Sequence, residues 1–137
     1  MFAGTGGQLG GSLAMKWLTL ALGGIAGTFS RYLLAGAVYR MVGSRFPYGT
    51  LIVNTMGCFL IGVFDVLAEE KFVLGPQARL LLMVGFCGAF TTFSTFILET
   101  GNLIKDGQAL EAFINVMISV ILGFVVYRLG IATARMI

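Results

Sequence analysis

The 137-residue chain is 58% hydrophobic and 11% charged, with a formal net charge of +3. Soluble domains average about 25% charged residues, so the composition excludes a soluble protein and leaves an integral membrane protein of roughly four crossings, each of about 20 residues. The absence of histidine removes His-based metal centres, Ser-His-Asp hydrolysis and most proton relays, and the basic excess belongs at helix ends rather than on a nucleic-acid surface.

Residues 1–15 read as a loose, glycine-rich N-terminal extension, and residues 16–137 as a single four-helix transmembrane domain. The first apolar segment runs from Trp17 to Val38. Lys16 ahead of it and Ala35-Gly36-Ala37 within it have the outline of a signal peptide. Arg31 interrupts the run and three more spans follow, so a retained helix is expected. Gly23 and Gly27 stand at the spacing that lets helices approach closely in lipid, although glycine is also common in membrane helices without that role. A guanidinium such as Arg31 inside a span needs an acidic partner, carbonyl caps or an aqueous vestibule. The candidate acids, Asp65 and Glu99, lie near span ends and are expected to reach the headgroups.

The second segment, Phe46 to Phe64, carries no charge but holds Asn54. Its amide offers two N–H donors and one acceptor. Two readings stay open: a helix–helix hydrogen bond of about 1 kcal/mol, or an anion ligand. The third segment, Leu80 to Leu98, contains GFCGAFTTFSTF at Gly85–Phe96. Hydroxyls and glycines at membrane depth are tolerated where they line a cavity or bind an ion. A break near Gly88 and Thr91 would free backbone carbonyls, which are cation ligands in a membrane; an unbroken helix with packing glycines is the other reading. Phe93 and Phe96 share a helical face, either as core or with positive ring edges turned to an anion. Ser94 and Thr95 add neutral hydroxyl donors.

The fourth segment, Ala112 to Tyr127, extends to Ala134 around Arg128 and holds Ser119, a further hydroxyl, paired with Gly123 at small-residue spacing. Cys58 and Cys87 sit in mid-span as small apolar residues, with a disulfide between them left open. The connectors Arg40–Pro47, Glu69–Pro76 and Glu99–Glu111 are short, so the spans form one bundle. Threading four spans puts Lys16, Lys71, Arg79, Arg128 and Arg135 on one side, and Arg40, Arg45 and Lys105 on the other, with Arg31 inside the first span. That charge bias is weak. It permits insertion both ways, and hence an antiparallel homodimer of oppositely inserted copies.

GGIAGTFSRY (Gly23–Tyr32), PYGTLIVNTMGCFLIG (Pro47–Gly62) and GFCGAFTTFSTF (Gly85–Phe96) together resemble the Fluc, or CrcB, family of fluoride channels. The resemblance covers the chain from Trp17 onward, more loosely over INVMISVILGF in the fourth span. It implies an all-α membrane protein with four transmembrane helices per subunit, the third broken, in an antiparallel dual-topology homodimer. It further implies passive fluoride export across a bacterial inner membrane, through two pores per dimer. By resemblance, Asn54, Phe93, Ser94, Thr95, Phe96 and Ser119 line the fluoride path, and Arg31 stands at the vestibule. The carbonyls of Gly88 and Thr91 from both subunits match a structural Na+ site on the dimer axis. Asn115 stands where some members have tyrosine.

The chemistry agrees. Fluoride is small and strongly hydrated, so a pore must replace its water with dense donors yet release it. Neutral amides, hydroxyls and ring edges meet both demands better than a buried lysine. A small multidrug-type transporter is an alternative, but it needs a carboxylate deep in a span, and none is expected here. A membrane assembly protein without transport leaves the Gly85–Phe96 cluster unexplained. No nucleophile–base pair suggests an enzyme.

Overall fold

The computed structural model describes residues 6–137, with side chains from Ser12 onward. Helix α1 spans Gly6–Val42 and its membrane-length portion begins at Ser12. It therefore starts inside the expected extension, residues 1–15, of which the first five lie outside the described residues. Helix α2 covers Tyr48–Asp65 and continues through a wider π turn at Val66–Glu70, where the Lys71 N–H reaches the Val66 carbonyl at 3.0 Å. Helix α3 is built of three consecutive pieces, Pro76–Arg79, a π stretch Leu80–Cys87, and Gly88–Phe90. Helix α4 is Phe93–Lys105 and helix α5 is Ala109–Met136. With α3 and α4 forming one interrupted span, Pro76–Lys105, four stretches among the described residues are long and apolar enough to cross a membrane.

The connectors are shorter than the charge pattern predicted. Helix α4 runs through Glu99 to Lys105, leaving residues 106–108 as the last link. Glycines at positive φ make the two tight exits: Gly43 (φ 83°) after α1 and Gly107 (φ 75°) after α4. The Gly43 N–H closes on the Tyr39 carbonyl and the Gln108 N–H on that of Leu103, the left-handed C-terminal stop that glycine accepts without a Cβ clash.

Two helix pairs carry the packing, α1 with α3 and α2 with α5. Between helices in lipid there is little hydrophobic drive, so close backbone approach does the work. A Cβ on Gly23 would strike the Leu81 carbonyl, and one on Gly27 the Phe86 carbonyl. The Gly23/Gly27 pair is thus a packing motif. In the other pair, Gly62 meets the Tyr127 backbone and Gly130 the Phe59 backbone. Gly123 is looser, with Cys58 Sγ 3.5 Å from where its Cβ would stand. Large apolar side chains such as Leu22, Phe29, Phe113 and Phe124 point outward, as lipid allows. At one end, Arg79 clamps the α2–α3 turn through Leu74 O, Ala68 O and Glu69, while Arg135 pairs with Glu70.

Candidate functional site

The site is built on the break in the third span. The Thr91 N–H makes the last bond of α3, to Cys87 O at 3.0 Å. Thr91 (φ −84°, ψ 159°) and Thr92 (φ −150°, ψ 115°) are then extended. The break lies beyond Gly88, which remains helical at φ −62°, ψ −36°. Its cause is threonine rather than glycine. Two β-branched residues accept extended backbone readily, and Thr92 caps the helix that follows. Its Oγ1 accepts the Thr95 N–H at 3.3 Å, and its hydroxyl donates to Thr95 Oγ1 at 2.9 Å.

Asn54 completes the break from α2. Its Oδ1 accepts the Thr92 N–H at 2.8 Å and its Nδ2 donates to Thr92 O at 3.0 Å. Of the two readings open for Asn54, the backbone bond is made, and one amide N–H remains for any other ligand. The Thr92 N–H would otherwise have closed on the Gly88 carbonyl, so the same bond withdraws Gly88 O from the helical ladder. One turn along α2, a Cβ on Gly57 would collide with Thr91 Cγ2. Asn54 and Gly57 therefore form one face shaped to the break.

Beside the break lies a cavity of about 520 Å3, lined among others by Arg31 and Arg40 of α1, Thr50 of α2, and Thr92, Thr95 and Glu99. Two guanidiniums against one carboxylate make it favourable to anions. Arg31 pairs with neither Asp65 nor Glu99; its Nη1 stands 3.5 Å from Thr91 O. Asp65 is instead approached by the Tyr127 hydroxyl, which donates to Oδ2 at 3.4 Å.

Glu99 corrects the expectation of an acid at the headgroups. The break restarts the helix at Phe93, so Glu99 falls in the middle of α4 and faces the cavity. The Tyr39 hydroxyl donates to its Oε1 at 2.7 Å, and its Oε2 is buried without a hydrogen-bond partner.

The structure brings Asn54, Thr95 and Arg31 together at the break and cavity. Phe93 and Phe96 are adjacent, with ring centroids 5.8 Å apart and tilted by 43°. Phe96 is buried, whereas Phe93 is 76% exposed and Ser94 lies exposed beside it, on the outside of the chain's own bundle. Ser119 is half-buried on α5 and does not line the cavity. Four positions up that helix face, Asn115 is buried and donates to Thr100 Oγ1 at 2.9 Å, and the Thr100 hydroxyl donates to Phe96 O at 2.7 Å. Asn115 thus steadies the Phe96 turn. Cys58 and Cys87 are free thiols, so the disulfide is not formed, and both line a small cavity with Gly57, Gly88 and Thr91. Thr92, Tyr39 and Thr50 were not singled out from sequence as site residues. Thr92 carried a signal, a threonine three residues ahead of Thr95 at a helix restart; Tyr39 and Thr50 carried none.

Residues 18–131 match the family model described as "CrcB-like protein, Camphor Resistance (CrcB)". A fluoride-specific ion channel FluC of Solidesulfovibrio magneticus is 47% identical over 118 residues, which cover 86% of this chain and 94% of the relative. One from Maridesulfovibrio salexigens is 46% identical over 122 residues, 89% of this chain and 97% of the relative. One from Geobacter sulfurreducens is 47% identical over 118 residues, 86% and 95% respectively. With four membrane-length helices and a family match over most of its length, the chain belongs to the CrcB, or FluC, family of multi-pass bacterial inner-membrane ion channels and is not an enzyme.

Proposed function

We propose that the chain is a fluoride-selective channel, passively exporting fluoride from the cytoplasm, and that it works as an antiparallel dual-topology homodimer with two pores. The observation that carries this reading is the break held by Asn54 next to a cavity with a net positive lining. An anion drawn in by Arg31 and Arg40 meets the remaining N–H of Asn54 and the hydroxyl of Thr95. Phe96 and Phe93 then offer positive ring edges, which hold a small anion less tightly than a lysine would. Ser94, and Ser119 of α5, continue the donor set in this proposal. Exposure of Phe93 and Ser94 on the single chain supports a partner copy that completes each path.

Gly88 and Thr91 would hold a structural Na+ between the two copies. The fit rests on their chemistry: neutral carbonyl oxygens suit a hard cation, and the Thr92 N–H that would occupy Gly88 O is bonded elsewhere. No atom lies within 4 Å of where a Gly88 Cβ would stand, so that face is open to a second chain. The ion would supply positive charge to fasten the two copies.

The test is ion efflux from liposomes containing the purified protein. Fluoride leaves and chloride stays if the reading is right. Phe96→Ile should cut fluoride flux while the dimer persists on size exclusion. Fluoride retained in wild-type liposomes, with an organic cation moving against a proton gradient instead, would overturn the channel in favour of a multidrug-type transporter.

A further inference from the structure

Among the described residues Phe72, in the turn between α2 and α3, is the one non-glycine residue at positive φ (54°). A bulky side chain keeps left-handed backbone only where its surroundings hold it there. Here they do. The Val73 and Leu74 N–H groups both donate to the Leu67 carbonyl, at 2.8 and 3.3 Å. Arg79 reaches back from α3 to Leu74 O, Ala68 O and Glu69, and Arg135 of α5 donates from Nε to Glu70 Oε2 at 2.9 Å. What this bracing presents is apolar: Phe72 is 78% exposed and Val73 67% exposed. A turn tip in water ordinarily puts glycine or asparagine at the left-handed position.

Neighbouring residues fix the depth of the tip. Residues 71–75 join the membrane-length stretches Tyr48–Glu70 and Pro76–Lys105. On α1 the Thr19 hydroxyl donates to Gln77 Oε1 at 3.1 Å, which sets the start of α3 level with Lys16 and Trp17. Trp17 is exposed, and a tryptophan beside a lysine at the end of a span marks the membrane–water interface. Glu69, Glu70, Lys71 and Arg79 add charge at the same level.

We propose that Phe72 and Val73 are an interfacial anchor, an apolar pair that the braced turn lays into the headgroup–acyl boundary. Lipid is the occupant that the position calls for, because it already surrounds the spans on either side of the tip. Lys71 beside the pair supplies a cation for lipid phosphate. Through Arg79 the anchor sets the depth at which the interrupted third span begins. The inference needs only the membrane location and not the choice of ion.

Trp17 is the sole tryptophan of the chain, so Trp17→Phe with Phe72→Trp leaves one fluorophore, at the tip. The double variant is reconstituted in phosphatidylcholine liposomes brominated high on the acyl chains, with iodide supplied on both sides. An aromatic seated at headgroup level should lose roughly half its emission to bromolipid and little to iodide. Quenching by iodide without bromolipid quenching places the tip in water and overturns the anchor. Quenching by neither means that protein, such as a second copy, covers the tip, and overturns it equally. If the double variant does not fold, single cysteines decide, in a Cys58→Ala/Cys87→Ala background. A charged methanethiosulfonate, supplied on both sides, should label Val73→Cys several-fold more slowly than Lys71→Cys; equal rates overturn the anchor. Phe72→Asn keeps a residue that accepts the left-handed backbone and removes the ring. It should bring the Val73→Cys rate up to that of Lys71→Cys, and an unchanged slow rate removes Phe72 from the anchor and overturns the pair.

Discussion

Asn54 bears on the site more than any other side chain, because both ends of its amide are spent on one residue of backbone. Asn54→Ala would leave the N–H and the C=O of Thr92 without partners at membrane depth. Each orphaned buried group costs about 1–3 kcal/mol. We expect Asn54→Ala to lower the thermal midpoint in detergent and to abolish fluoride efflux. Asn54→Asp can still accept from the Thr92 N–H but cannot donate to Thr92 O, and its charge opposes an anion; it should keep more of the fold than alanine while losing flux. An unchanged midpoint in Asn54→Ala would mean that water or lipid satisfies the break. From sequence, Asn54 stood out as an amide in an apolar span, but its partner did not. That partner lies 38 residues away, and no local pattern encodes such a pairing. Glu99 was legible as an acid near a span end, but its inward bond to the Tyr39 hydroxyl was not.

At the level of helices, packing was easier to read than interruption. Spacing alone marked Gly23 and Gly27, and both prove to be points where α1 touches the α3 backbone. The neighbouring Gly24 has nothing within 4 Å of its Cβ position, which supplies an internal control. Gly27→Val should destabilise the bundle by about 1–3 kcal/mol through overpacking, while Gly24→Ala should leave it unchanged or slightly firmer. Thermal unfolding in detergent compares the two, and equal losses would refute the close-approach argument. From sequence the interruption was placed near Gly88 and Thr91, with an unbroken helix as the other reading. In the structure Gly88 stays helical, and the chain opens at Thr91 and Thr92, where capping by Thr92 and the amide of Asn54 replace the lost ladder. A breaker count on the sequence ranks glycine above threonine; only the cross-helix partner reverses that order.

For the whole molecule, the single chain leaves polar structure facing outward. Ser94 lies exposed beside Phe93, and Gly88 has open space before it. A second copy with opposite insertion would cover these positions, and the weak charge bias allows it. Reporter fusions at the C-terminus should therefore give signal on both sides of the membrane; one fixed orientation would count heavily against dual topology. The four spans and the family were legible in the sequence because hydropathy and the Gly85–Phe96 motif are local. Copy number and pore count belong to contacts between chains, which one sequence does not spell out.

The pairing of Asn54 with Thr92 also constrains how the chain is made. In hydrocarbon, unsatisfied backbone is among the costliest things a span can carry, so the third span is a poor passenger on its own. Its remedy is encoded upstream: α2 leaves the ribosome before Thr92 does, and the carboxamide can already be in the bilayer when the interrupted span arrives. Synthesis order thereby supplies a chaperone in cis. Moving the second span behind the third by circular permutation would strand the break during insertion, although the finished protein would contain the same contacts.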